Sequence, residues 1–224
     1  MKISVIIPVV NEAEHLRRLI PHLQAGKFFE CIVVDGGSTD ESIAVAQAFN
    51  CKVIDAPRSR AKQMNEGAAA AVGDILYFVH ADTLPPVSYG EDILAVFGPK
   101  TPFGCFRSRF NTNSRFLKIN SYFSRFKGLM FRGGGQTLWV SKLLFNQLNG
   151  YDSSLKLMEE YDFIQRAQQV ANYKVIQKDV LVSDRTYQKN GNFKTQFIYA
   201  LVMFGFFRGI HQDRLLKFAK YWIK

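Results

Sequence analysis

I-S-V-I-I-P-V-V-N-E at residues 3–12 joins a continuous β-branched run to a polar break, and V-V-D-G-G-S-T-D at residues 33–40 repeats the same plan. Short apolar runs without alternation read as strands buried on both faces, the habit of parallel sheets covered by helices on each side. Working outward, strands are expected over residues 3–7, 31–34, 53–54 and 75–79, with helices over 12–24, 40–49 and 61–71. That alternation specifies an α/β fold with a mostly parallel sheet flanked by helices. After Pro102 the pattern is less regular and predicts helices and short strands packed against the first half, ending in a C-terminal helical segment.

Composition narrows the class. The chain has 224 residues, 47% hydrophobic and 21% charged, enough apolar side chains to form a core and too many for intrinsic disorder. No apolar run reaches the roughly 18 residues of a membrane-spanning helix; the longest candidate covers residues 197–207. At the N-terminus, Asn11-Glu12-Ala13-Glu14 stands where a leader would have its cleavage site, so a buried strand is expected there. Three cysteines, Cys31, Cys51 and Cys105, lack the spacing of a zinc site or the number for a disulfide framework, which points to the cytoplasm.

The formal charge of +10 is unevenly placed. Residues 103–132 carry +7 with no acidic group and residues 193–224 carry +5, leaving −2 for the remainder. Both segments interleave aromatics, among them Phe103, Phe106, Tyr122, Phe123 and Phe126 in the first and Phe197, Phe204, Phe207, Tyr221 and Trp222 in the second. Cations among aromatics suit an anionic membrane surface. Helical spacing alone also produces such stripes, with core aromatics and a solvated cationic face. No nucleic-acid-binding motif accompanies the charge, so nucleic acid is not expected as a partner.

Ligands of open α/β sheets lie beyond the carboxyl ends of the strands. Three polar clusters distant in sequence fall there: Asn11-Glu12, Asp35-Gly36-Gly37-Ser38 and His80-Ala81-Asp82-Thr83. Asp35 before two glycines is a carboxylate able to accept hydrogen bonds from a base or ribose. In an extended segment His80 and Asp82 would share one side, and Asp82 is a hard ligand suited to Mg²⁺ or Mn²⁺ once diphosphate oxygens complete the shell. Met158-Glu159-Glu160-Tyr161-Asp162 opens an expected helix in which a carboxylate can take a proton from an acceptor hydroxyl. Arg60, Lys62 and Gln63, and the stretch Gly133-Gly134-Gly135-Gln136, are candidates to meet phosphate or sugar. Neither G-x-G-x-x-G nor a P-loop occurs, which removes support from hydride transfer and P-loop phosphoryl transfer.

Together and in this order, residues 3–12, 33–40, G-D-I-L-Y-F-V-H-A-D-T at 73–83 and M-E-E-Y-D-F at 158–163 resemble an inverting family 2 glycosyltransferase of GT-A fold, over about residues 1–190. R-A-K-Q-M-N-E-G at 60–67 with H-A-D-T resembles a small subgroup tied to glycosyl transfer in arsenosugar biosynthesis. The resemblance implies one domain over residues 1–224: a nucleotide-sugar-binding half (1–100), an acceptor half (101–190) and a basic aromatic helical tail (191–224). It implies a nucleotide-diphospho-sugar donor, Mg²⁺ or Mn²⁺, and single displacement at the anomeric carbon. Pro8, Asn11 and Glu12 would border the nucleotide; Asp35, with Gly37 and Ser38, would bind the base and ribose, and Arg60, Gln63, His80 and Asp82 would line the remaining donor site. Asp82 would be the metal ligand, with His80 in place of the first acidic residue of D-x-D. Glu160 would be the base, where the family has Asp, with Glu159 beside it; Gln136 and Asp162 would face the acceptor. Gly135 stands where the subgroup carries an acidic residue. A binding protein that has lost catalysis and a nucleotidyltransferase are the alternatives, and the acceptor and the oligomeric state are left open.

Overall fold

A computed structural model describes residues 1–26, 28–132 and 135–223. The first half alternates as expected: β1 (Ile3–Val9), α1 (Ala13–Ala25), β2 (Glu30–Asp35), α2 (Ser42–Ala48), β3 (Lys52–Asp55), α3 (Arg60–Ala70) and β4 (Ile75–Phe78). Then follow β5 (Thr83–Leu84), α4 (Tyr89–Val96), β6 (Phe103–Phe110), α5 (Arg115–Phe123), a 3-10 turn (Leu129–Phe131), β7 (Leu138–Ser141) and α6 (Lys142–Gln147). The chain closes with α7 (Glu159–Gln168), β8 (Tyr173–Val182), α8 (Arg185–Asn190), α9 (Asn192–Phe207) and α10 (Gln212–Trp222).

All eight strands form one sheet in the order β3-β2-β1-β4-β7-β6-β8-β5. The pairs β3–β2, β2–β1, β1–β4 and β6–β8 are parallel, while β7 runs antiparallel to both β4 and β6. Alternate residues of the strands feed two apolar layers. Val5, Ile7 and Val33 pack toward Leu16, Leu19 and Leu23 of α1, whereas Ile6, Ile32 and Val34 pack toward Met64 and Ala68 of α3. Both faces of β1 and β2 are therefore covered, which is why their sequences do not alternate.

The second half departs from the expectation of short strands. β6 and β8 have 8 and 10 residues and carry the sheet across the molecule. Their register shifts between Phe106 and Arg107, which pair with Ile176 and Asp179. The inserted residues break the two-residue period by which a strand is recognised. Close approach here requires glycine: a Cβ on Gly104 would lie 2.1 Å from the Lys174 carbonyl oxygen.

The two basic aromatic segments divide in three dimensions. Phe103 and Phe106 are core residues, and Arg107 and Arg109 pair with Asp179. Tyr122, Phe123 and Phe126 are exposed, as are Phe193, Phe197, Phe204, Phe207, Tyr221 and Trp222. No helix among the described residues is long and apolar enough to cross a membrane.

Candidate active site

Parallel strands β1, β2 and β4 end on one side of the sheet and deliver the three polar clusters to it. At the end of β2, Asp35 is 2% exposed, and its Oδ2 accepts hydrogen bonds from the backbone N–H groups of Gly37 and Ser38, both at 2.8 Å. Gly37 has φ of +90°, a conformation that costs glycine nothing. The other carboxylate oxygen, Oδ1, is buried with no protein partner. Ser38 Oγ accepts from the Asn11 backbone N–H at 2.9 Å, and Asn11 Oδ1 accepts from the Thr39 backbone N–H at 2.7 Å. These bonds lock the β1 and β2 loops together and hold Asn11 at φ +55°. Pro8 sits within β1, opposite Val34 of β2, partly exposed. Gln63 is buried in α3, and its Nε2 donates to the carbonyls of Val9 and Val34, each at 2.9 Å. Both amide hydrogens thus tie the strand ends together, and Oε1 is the group left for a ligand.

The end of β4 differs from the extended geometry expected. Strand structure stops at Phe78, and the Thr83 N–H donates to the His80 carbonyl at 3.1 Å, closing a turn. Because a turn replaces the extended backbone, His80 and Asp82 diverge to different partners. His80 Nε2 lies 2.9 Å from Glu160 Oε1, and with the glutamate ionised the imidazole donates. Both groups are buried, at 9% and 7% exposure. Asp82 instead meets Arg185, whose Nη2 is 3.3 Å from Asp82 Oδ2 and 2.9 Å from Glu12 Oε1. Glu12 also holds His15, Nδ1 to Oε2 at 2.7 Å. The hydrogen bond that Arg185 donates to Glu12 and the nearby charge of Asp82 outweigh desolvation and hold the Arg185 guanidinium above its ordinary pKa.

Arg60, the first residue of α3, has Nη1 3.4 Å from Glu159 Oε1. Desolvation would lower its pKa, but the carboxylates of Glu159, Glu160 and Asp82 push it up. Direct contacts join Asp35, Ser38 and Asn11 in one group and Glu12, Arg185 and Asp82 in a second, while Arg60 contacts Glu159 and feels the charges of Asp82 and Glu160 without touching them. The helix presenting those glutamates starts at Met158, which is held at φ +69°. A strained non-glycine residue at that point is a cost tolerated where a site dictates the backbone.

Glu160 and Gln136 line one small pocket with Arg132, Thr137 and Tyr161. Gln136 Nε2 donates to Ser108 Oγ at 3.3 Å, and Gly135 has φ of +90° with its carbonyl accepting from Thr83 Oγ1 at 3.2 Å. Gly133 and Gly134 lie outside the described residues. Asp162 does not join the group. Two residues past Glu160 it lies on the opposite side of the helix, with Oδ2 paired to Arg166 at 2.7 Å, and Arg166 donates on to the carbonyls of Leu148 and Gly150. Lys62 is exposed on α3. Arg185 was not singled out by sequence reasoning: it lies more than 100 residues from the nearest motif residue it contacts, and its signal is its proximity in space to Glu12 and Asp82.

A divalent cation of the kind the fold implies needs hard oxygen ligands. Asp82 offers a carboxylate at the open edge of the cleft, and a cation already rests against it in the form of the Arg185 guanidinium. This donor chemistry fits Mg²⁺ or Mn²⁺ held by Asp82 together with phosphate oxygens. Among the described residues no cluster of three or more His, Cys, Asp or Glu side chains is placed to hold a metal.

Glucosyl-3-phosphoglycerate synthase of Mycolicibacterium smegmatis is 30% identical over 96 residues, covering 38% of this chain and 32% of the relative. The chain thus spans about a third of that relative's length. Among solved structures, S. aureus TarS 1-349 in complex with UDP superposes with a TM-score of 0.69 at 21% identity, covering 82% of this chain and 60% of that one. The mannosyltransferase PcManGT from Pyrobaculum calidifontis, in complex with GDP-Man and Mn²⁺, gives a TM-score of 0.67 at 17% identity, covering 90% and 62%. These superpositions establish the GT-A fold. With its three polar clusters assembled on that fold, and the profile of glycosyl transferase family 2 matching residues 4–145, the chain belongs to glycosyl transferase family 2.

Proposed function

We propose that this protein is an inverting glycosyltransferase that moves a sugar from a nucleotide-diphospho-sugar to an acceptor hydroxyl. The carrying observation is the set of groups beyond the strand ends: Asp35 with its unpartnered buried Oδ1, the ion pairs of Arg185 with Glu12 and Asp82, and Glu160 hydrogen-bonded to His80. Asp35 Oδ1 accepts a hydrogen bond from the donor's base or ribose. Arg60 and Arg185 face the leaving diphosphate. Glu160 takes the proton of the acceptor hydroxyl as its oxygen attacks the anomeric carbon, and the bond from that carbon to the diphosphate oxygen breaks with its electron pair leaving on the diphosphate. Mg²⁺ or Mn²⁺, held by Asp82 and the diphosphate, would supply Lewis-acid stabilisation of the leaving group. Glu159, anchored by Arg60, neutralises that cation and shapes the acceptor side. The complexes of TarS with UDP and of PcManGT with GDP-Man and Mn²⁺ support this reading. The R-A-K-Q-M-N-E-G and H-A-D-T segments support membership of the arsenosugar-type subgroup.

The three free, buried thiols support a reducing, cytoplasmic compartment. A peripheral position on an anionic membrane surface is supported by α9, whose Phe193, Phe197, Leu201 and Phe204 form an exposed apolar stripe opposite the buried Thr195, Ile198, Val202 and Gly205. Arg208 stacks over Phe204 at 4.7 Å, and Arg125 over Tyr122 at 3.6 Å, placing cations beside the exposed rings.

Thermal unfolding with UDP and with GDP, each with and without Mn²⁺, tests the site, because a ligand of the folded state raises the melting temperature with occupancy. The expected result is a metal-enhanced shift with one nucleotide; no shift with either overturns the donor site. Analysis of products from the matching nucleotide sugar then separates the alternatives. Nucleoside diphosphate release marks a glycosyltransferase, pyrophosphate release a nucleotidyltransferase, and binding without turnover a catalytically silent binding protein.

A further inference from the structure

Arg185 stands on the first turn of α8, at the far end of the chain from the motifs it touches, yet one of its nitrogens lies between the carboxylates of Glu12 and Asp82. Nη2 is 2.9 Å from Glu12 Oε1 and 3.3 Å from Asp82 Oδ2, and Nη1 is 3.4 Å from Glu12 Oε2. The two acidic side chains are 16% and 19% exposed, so each is partly desolvated and would be raised in energy by the other without a cation between them. The guanidinium meets that need. At 52% exposure its own side chain has solvent beside it, which leaves room for a change of rotamer.

We propose that Arg185 is a place-holding cation that exchanges with the metal. In the donor-free protein it neutralises Glu12 and Asp82. When the metal and the nucleotide diphosphate arrive, it releases Asp82 Oδ2 and turns its planar fork onto the diphosphate, a geometry that guanidinium matches with two hydrogen bonds. No covalent bond changes; the exchange redistributes charge among fixed carboxylates. It makes the binding of metal and of nucleotide mutually favourable, since the arginine that one displaces is taken up by the other, and such coupling is reciprocal by linkage. The proposal rests on the reading of Asp82 as the metal ligand.

The test compares wild type with R185Q and R185K, reading free Mn²⁺ by electron paramagnetic resonance and UDP or GDP binding by calorimetry, with far-UV circular dichroism confirming the fold. In R185Q, Mn²⁺ affinity without nucleotide is expected to rise about fivefold, as a partly exposed ion pair is removed, while affinity for the nucleoside diphosphate falls about tenfold. R185K, which keeps the charge without the fork, is expected to retain the weak Mn²⁺ binding of the wild type. Unchanged nucleotide-free Mn²⁺ affinity in R185Q, with Mn²⁺ and nucleotide still binding together to the wild type, overturns the exchange alone. If wild type binds no Mn²⁺ even with nucleotide present, and D82N changes nothing, the metal reading itself fails and the exchange with it.

Discussion

Glu160 and Asp162 are two positions apart in one helix, and their surroundings separate them. Glu160 is buried against His80, while Asp162 is bound to Arg166 on the helix's other side. Glu160→Gln keeps the hydrogen bond from His80 and removes the proton acceptor, so kcat should fall about 10²- to 10⁴-fold with nucleotide affinity unchanged; steady-state kinetics beside calorimetry checks both. Asp162→Asn should leave the rate within a few fold and cost about 1 kcal/mol of stability through the lost partner of Arg166, read by urea unfolding. The helix that opens at Glu159 was legible because acidic residues in a first turn are a local pattern. Arg185 was not, because nothing adjacent to it in the chain reports on Glu12 or Asp82.

At the scale of elements, the parallel β1, β2 and β4 announce themselves as uninterrupted apolar runs because both of their faces are covered. β6 and β8 hide because the register shift at Phe106/Arg107 mixes the residues of two faces. The pairing of these strands depends on Gly104, where a Cβ would also lie 2.6 Å from the Trp139 ring. Backbone on one side and a fully buried indole on the other leave no room to yield. Gly104→Ala should therefore destabilise the protein by about 3 kcal/mol, measured as a lowered denaturant midpoint. The turn closed by Thr83 onto His80 belongs to this scale too: a two-residue spacing sends side chains to one side only while the backbone stays extended.

At the scale of the whole molecule, the positive excess is shared between residues 103–132, which include α5, and the C-terminal helices, where α9 leaves its apolar stripe uncovered. Phe116 of α5 and Phe193 of α9 are in contact, with ring centroids 4.6 Å apart, so the two basic aromatic segments meet at that point. Sedimentation with phosphatidylglycerol vesicles at low salt should carry the protein down, with release as salt screens the cations. Replacing both Phe197 and Phe204 with glutamate should abolish that binding. No sedimentation at low salt would reject a lipid surface, and self-association instead would assign the stripe to a second copy of the chain.

The α/β class, the order of strands and helices in the first half and the placing of polar clusters at the strand ends were determined by the sequence itself, because burial on two faces and turn chemistry act within a few residues of one another. Tertiary structure alone decided which carboxylate points at which cation. His80 meets Glu160 across 80 residues and Arg185 meets Glu12 across 173. Such pairings depend on the angles at which helices leave a sheet and on a turn at the end of one strand. A charge interacts through space with whatever packing brings near it, and a linear pattern carries no record of that distance.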